Sequence, residues 1–445
     1  MEFDAFVKTL LLRAQAAGIA DAEVYYASGD ALRVYVREQK IEDYTVSARA
    51  GLSFRGLVGG RMGYASTEAL DEAAVGLLVQ GVLETASLID SQDAQDIYPG
   101  GDGYPQVAPT GEALASVPPQ ALIERALSME RAMTGEGIKV DQSVLQLAMG
   151  EVRIVNTYGL NLRHRDGAVY ASASLIARKG ERTADGYCLD WSGDLDSLDT
   201  QAIARRAVSE ARFMLDAISV PSGEYEVIFS REAMADLLET FSGVFSAENA
   251  HKHLSLLAGR VGEQVAAPCV TLVDDPLLPG GPQTCPFDAE GVASYTKDVV
   301  KDGVLRTLLH NRKTAREDGV ASTGNASKAS YGAPVRVSPT NFFFKPGERT
   351  LEALMQEMGA GLVITEVSGL HAGANPLSGD FSLLSKGFLV EDGRRAQAVE
   401  QITVAGNFYA LLKNVKAVAS DLKFFTGGAG GTSVWAGRMS VAGNK

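Results

Sequence analysis

Cysteine, tryptophan and histidine are scarce in this chain, long apolar runs are missing, and basic charge is nowhere concentrated. Among 445 residues there are 3 cysteines, 2 tryptophans and 5 histidines. Cys188, Cys269 and Cys285 are odd in number, widely spaced and form no Cys-x-x-Cys pair. A disulfide framework and a zinc ribbon are thereby excluded, and a reducing compartment is expected. No run approaches the roughly 20 apolar residues that span a bilayer. The start, Met1-Glu2-Phe3-Asp4, is acidic and leads straight into an amphipathic pattern, unlike a secretory leader with its positive start. A cytoplasmic protein without a membrane anchor is the expectation. Lysine plus arginine number 41 against 55 aspartate plus glutamate, a net charge of −14. Direct nucleic-acid binding is disfavoured, because neutralising phosphates needs a clustered basic footprint.

The common hydrolase signatures are absent too. None of the five histidines is followed by glutamate, so the helical pair of imidazoles with an intervening general base, as in the usual zinc proteases, is missing. No Gly-x-Ser-x-Gly elbow occurs. The run Gly427-Gly428-Ala429-Gly430-Gly431-Thr432 has no lysine and no Gly-x-Gly-x-x-Gly register, which argues against phosphate binding. His251 and His253, two apart, read as solvated residues near a helix end; His164 reads as exposed and His310 as packed or capping. Asp274-Asp275-Pro276 reads as a turn, and Asp288 with Glu290 as an acid pair available for proton transfer.

What is present is an ordinary globular composition, 46% hydrophobic and 22% charged, long enough for about three domains. Phe3, Phe6, Val7, Leu10, Leu11 and Ala14 recur at helical spacing up to Gly18. Alternating segments around Leu32-Arg33-Val34-Tyr35-Val36 and Leu52-Ser53-Phe54-Arg55 predict antiparallel strands. Ser66 or Thr67 is expected to cap a helix presenting Leu70, Ala73, Ala74, Leu77, Leu78 and Val82. Residues 98–120 are dense in proline and glycine and predict an irregular linker. The division is then 1–92, an α+β domain; 93–120, linker; 121–220, a second α+β domain; and 221–445, a larger, mostly β domain of barrel or sandwich type. Gly60-Arg61-Met62-Gly63-Tyr64 before one helix parallels Gly180-Glu181-Arg182 and Gly186-Tyr187 before another, a hint of duplication.

Six stretches in the third domain, in order, carry a family resemblance: Gly259-Arg260-Val261-Gly262-Glu263, Val270-Thr271-Leu272-Val273-Asp274-Asp275-Pro276, Phe287-Asp288-Ala289-Glu290-Gly291, Ser322-Thr323-Gly324-Asn325, residues 369–381, and the run 399–408. On these the chain resembles the TldD/PmbA family, the modulators of DNA gyrase, and within it the TldE/PmbA branch. The resemblance implies a metallopeptidase fold and a two-subunit system. In it a TldD-like zinc peptidase with a His-Glu-x-x-x-His helix works with a TldE/PmbA chain on unfolded or extended peptides. The corresponding place here reads Leu238-Glu239-Thr240-Phe241-Ser242-Gly243, so Glu239 stands as a vestigial base without its histidines.

The expectation is therefore a subunit with no metal or cofactor of its own, zinc belonging to the partner. It would pair with a TldD-like chain, or with itself when alone, and meet peptide or partner through the polar loop that holds His371, Asn375, Ser378, Gly379, Asp380 and Phe381. Two alternatives are an active metallopeptidase with a rearranged site, built from His251, His253 or His371 with Glu239 or Glu248, and a non-enzymatic interaction protein linked to gyrase modulation.

Overall fold

A computed structural model describes residues 1–88, 96–101 and 103–444. The expected boundary between residues 92 and 93 lies outside the described residues. The architecture is α+β, with long antiparallel strands and helices in front and a β-rich region with a closed barrel behind.

The first helix, α1 (Phe3–Ala16), buries Phe6, Val7, Leu10 and Ala14, as the spacing predicts, and the chain turns at Gly18 with φ 86°. Then come β1 (Ala22–Arg37), β2 (Lys40–Val58), β3 (Arg61–Thr67) and the helix α2 (Glu72–Leu88). Ser66 and Thr67 lie in β3 and not at the helix start; the Asp71 carboxylate accepts from the Ala74 N–H instead. Starting there, the 100° step per residue puts Ala74, Val75, Leu78, Val82 and Ala86 on the buried side and leaves Leu77 73% exposed. The proline-rich stretch is not wholly irregular. Glu112–Ser116 forms a 3-10 turn, and Pro119 opens α3 (Pro119–Ala132), where its fixed φ suits the first helical position and its missing N–H costs nothing. Next are β4 (Ile138–Asn156), β5 (Asn161–Lys179), β6 (Arg182–Ser192) and α4 (Thr200–Met214).

These six strands form one antiparallel sheet in the order β3-β2-β1-β4-β5-β6, joined in the middle by β1–β4 pairing from Glu23 opposite Asn156 to Val36 opposite Ser143. Each half is a three-strand meander followed by a helix. The parallel Gly-Tyr pairs have the same physical cause in both. A Cβ added at Gly63 would sit 2.0 Å from the Val82 carbonyl of α2, and one at Gly186 would sit 2.3 Å from the Ala207 carbonyl of α4. In each half the helix crosses its third strand at a distance only glycine permits.

The rest is built on a barrel of β7 (Gly223–Phe229), β8 (Gly361–Ser368), β9 (Asp380–Glu391), β10 (Arg394–Asn407) and β11 (Val434–Ala442). It closes through β10–β11 pairing at Thr403 to Ala405. The β9–β10 turn places Asp392 and Gly393 at φ 49° and 71°, the two left-handed residues of a tight hairpin. A helix, α5 (Arg231–Phe241), packs Ala233, Met234, Leu237, Leu238 and Phe241 into the same core as Phe381, Val404 and Met439. Phe241 stacks on Phe408 with ring centroids 4.7 Å apart. Beside the barrel lies a second sheet of six short strands, between residues 272 and 431.

Candidate functional site

The start of β1 is buried on both faces: Ala22, Glu23, Val24 and Tyr25 are all enclosed. Alternation sends Val24 into the core beneath α1 and α2, and turns Glu23 and Tyr25 to the opposite face, where the C-terminal motif loops dock. The antiparallel register sets Glu23 opposite Arg55 and Tyr25 opposite Ser53. Tyr25 packs with Ile154, Leu160 and Phe287 at this junction, and the Tyr104 hydroxyl donates to the Gly291 carbonyl at 2.7 Å. Between the sheet and the loops remain two chambers, of about 440 and 200 Å³, which share Tyr25, Ala289 and Lys328 as common wall.

The larger chamber is lined by Glu23, Arg55, Glu290 and Lys328, and by Arg312 from α6 (Arg312–Asp318). Arg55 Nε donates to Glu23 Oε1 at 2.9 Å and its Nη2 lies 2.8 Å from the same oxygen. Burial pushes the Glu23 carboxyl up against the pull of Arg55. Desolvation works to lower Arg55, but the Glu23 and Glu290 charges outweigh it and hold the guanidinium above its ordinary value. The Lys328 ammonium donates to Ser53 Oγ at 2.7 Å and lies 4.4 Å from the centre of the Tyr25 ring. Burial, with the Arg55 charge, lowers it to about 8.

The smaller chamber gathers His164, Asp166, Cys285 and Asp288. Asp288 lies in a tight loop: its oxygens accept from the N–H groups of Glu290, Val292 and Ala326 at 2.9 to 3.0 Å. Burial and the neighbouring Glu290 nonetheless push it up. Burial likewise carries the Cys285 thiol to about 12, so it is no thiolate nucleophile at neutral pH. His164 is half-buried, not exposed as the sequence predicts: β5 turns it toward the docked loops, and burial lowers it. Asp274, expected in a turn, ends a strand with no exposure. Its carboxylate takes Lys297 Nζ at 2.9 Å, Asn325 Nδ2 at 2.8 Å and the Thr340 N–H at 2.6 Å. The family-like motifs thus build a buried polar frame behind the cleft; Asp275 supplies the turn, accepting from the Leu277 N–H.

Glu239 lies on the outer side of α5, and its carboxylate accepts from the Ala429 N–H at 3.1 Å, beneath the glycine loop. A Cβ on Gly427 would come within 2.9 Å of that carboxylate. Gly428 in turn abuts the Thr340 carbonyl and Gln283, which line the smaller chamber. Glu239 and the C-terminal glycine loop, 190 positions apart, thus meet in space. The donor set does not fit zinc: Leu238 is fully buried in the apolar core, Gly243 has no side chain, and residues 426–431 bring neither imidazole nor thiolate. Asp236, one turn earlier, is pushed up to about 6 by burial and by Glu366, Glu232 and Glu239.

The loop residues lie together at the barrel rim. Asn375 caps its own turn, accepting from the Leu377 and Ser378 N–H groups. Asn407 Nδ2 reaches Ser378 O at 2.8 Å and Asp380 Oδ1 at 2.9 Å. Gly379, at φ 83°, passes too close to the Tyr409 ring for any side chain. Phe381 is buried against Phe241, while His371 and Asp380 face solvent. The free side of the strand at residues 380–383 is met by the loop itself, through a bridge between Ala374 and Phe381. His251 does not join Glu239 or His371. Its ring nitrogens contact Glu317 Oε2 at 2.8 Å and Asp318 Oδ1 at 2.7 Å, and Glu248 binds Lys252 and Arg336. Its helix end therefore docks on α6 and is not simply solvated. Among the described residues, no group of three or more His, Cys, Asp or Glu is placed to hold a metal ion.

Sequence reasoning missed Glu23, Arg55 and Lys328. The alternation of Leu52-Ser53-Phe54-Arg55 already puts Arg55 and Ser53 on one face, but only the docked loops bury it.

This three-part arrangement is a metallopeptidase scaffold by its likeness to known proteins. Profiles of PmbA/TldA metallopeptidases match as domain 1 over residues 22–85, central domain over 112–215 and C-terminal domain over 222–443. The chain belongs to the PmbA/TldD metallopeptidase family. A metalloprotease PmbA homolog of Haemophilus influenzae is 27% identical over 449 residues, covering 96% of this chain and 93% of that protein. A Thermotoga maritima protein named as a candidate modulator of a DNA gyrase has a solved structure that superposes with a TM-score of 0.92 at 31% identity, over 99% of this chain and 100% of that one. TldE from Thermococcus kodakarensis shares the fold, with a TM-score of 0.90 at 22% identity over 98% and 100%.

Proposed function

We propose that this chain is a TldE/PmbA-type subunit of a TldD/TldE-like zinc metallopeptidase system. It lacks a metal site of its own and assists a TldD-like partner in proteolysis of unfolded or extended peptides. The observation that carries the reading is the surroundings of Glu239. A glutamate that keeps its place on the helix but spends its carboxylate on the Ala429 N–H, between Leu238 and Gly243, has nothing to hold an ion against water. The names of the relatives, a metalloprotease PmbA homolog and a TldE, support the same branch. In this reading the exposed side chains of the rim loop, His371 and Asp380 among them, meet the partner or the peptide, zinc stays with the partner, and the complex works in the cytoplasm.

The test is reconstitution. The chain and a TldD-like subunit from the same organism are purified apart and together and given an unfolded polypeptide. Hydrolysis should require the TldD-like chain and rise when this chain is added. Zinc-dependent hydrolysis by this chain alone would overturn the reading.

A further inference from the structure

Two residues that line the larger chamber each carry a buried polar atom that no described group satisfies. Glu23 is 2% exposed, yet only its Oε1 is engaged; Oε2 is buried with no hydrogen-bond partner among the described residues. Arg55 Nη2, beside it, is close to Glu23 Oε1 but not aligned for a hydrogen bond to any described group. Leaving a buried charged group half-satisfied costs more than a neutral one, because the desolvation is met in full and the compensating bond is missing. One atom needs a donor and its neighbour needs an acceptor. Glu23 and Arg55 line a cavity of about 440 Å³, within the range that holds small ligands, and the two atoms themselves sit enclosed in its wall. The remaining wall is of mixed sign, with Asp96 and Glu290 facing Arg312, Lys313, Arg316 and Lys328, and the Tyr25 ring close by.

We propose that this chamber binds an α-ammonium group together with the oxygen next to it. Glu23 Oε2 and Glu290 would receive the ammonium, and Arg55 Nη2, with Lys328, the adjacent carbonyl or carboxylate oxygen. Two sources carry that chemistry: the free amino end of a short peptide, whose first carbonyl supplies the oxygen, and a free amino acid, whose carboxylate does. The site is separate from the Glu239 face, and it stands whether or not the chain is a silent subunit.

The experiment titrates the full-length chain, by calorimetry, with three probes: tetra-alanine amide bearing a free amino end, the same peptide N-acetylated, and L-alanine. The free amine should bind, and acetylation should weaken binding roughly tenfold or more, the worth of a charge-assisted hydrogen bond. Binding by L-alanine but neither peptide would assign the site to amino acids; binding by the free-ended peptide alone would assign it to peptide ends. Equal binding of free and acetylated peptide, or no binding by any probe at millimolar concentration, overturns the proposal. Glu23→Gln locates the site: its circular dichroism should match that of the parent while binding falls by a similar factor, and retained binding would refute the assignment. The acetylation comparison needs no variant and decides the matter if Glu23→Gln fails to fold.

Discussion

The rim loop at residues 369–381 and the cleft between the sheet and the barrel side are both rich in polar side chains, but they use them in opposite ways. The loop's polar groups are met within it and by its neighbour: Asn375 closes its turn, Asn407 at the end of β10 ties down Ser378 and Asp380, and Phe381 roots the loop in the core. The cleft encloses charges that its own residues only partly satisfy, Glu23 and Arg55 above all. A dense polar sequence thus marks well-made turns, whereas unmet polar atoms arise where strands distant in sequence are covered by another part of the chain.

The sharpest way to break this contrast is to damage the frame behind the cleft. Asp274→Ala leaves Lys297 buried without its counter-ion, and removing one partner of a buried pair costs about 3–5 kcal/mol. Urea denaturation should show that loss; a loss below about 1 kcal/mol would mean that water reaches Lys297 and the frame is not closed. Next in size are Gly63→Ala and Gly186→Ala, which push a methyl group into the backbone of α2 and α4 respectively. Each should lower stability by about 1–3 kcal/mol. Similar losses would support the equivalence of the two halves, and a neutral Gly186→Ala would break it.

On the loop side, Asn407→Ala removes the bonds to Ser378 and Asp380 and the cap on the Ala410 N–H. A loss of about 1–2 kcal/mol is expected, with faster hydrogen exchange confined to the loop. Exchange that spreads through the barrel would show that the loop is not self-contained. The smallest effect is in the cleft. The Lys328 amine falls from 10.5 in the unfolded chain to about 8 in the fold. Between those values the unfolded chain holds the extra proton, so stability rises with pH across that window. Lys328→Met should remove about 1 kcal/mol of that rise, allowing for residual solvent screening, as read from melts at pH 8 and 10.5. An unchanged difference would place the ammonium in bulk water.

Part of the fold was legible because α1 carries an apolar stripe at helical spacing and buries it, and α2 was found with only part of its buried face, Ala74, Leu78 and Val82. The strands were read only as fragments. The outer half of β2, from Lys40 to Ala50, is exposed and has no buried face to impose alternation, whereas Val169, Ala171, Ala173, Leu175 and Ala177 of β5 alternate cleanly beneath α3 and α4. Asp274 misled because Asp-Asp-Pro has turn composition, and its burial depends on Lys297, 23 positions later. The Glu239 position was found through the family resemblance. The Glu23–Arg55 pair was not, because a cross-strand register and a third segment laid over it leave no local pattern.

In the proposed reading, the helix position of Glu239 has no ligands to hold zinc. The direct measurement is the zinc bound per chain, by elemental analysis of untagged protein purified without chelators, incubated with excess zinc and then desalted. A value near zero is expected. One tightly held ion per chain would contradict it and return the chain to the active peptidases.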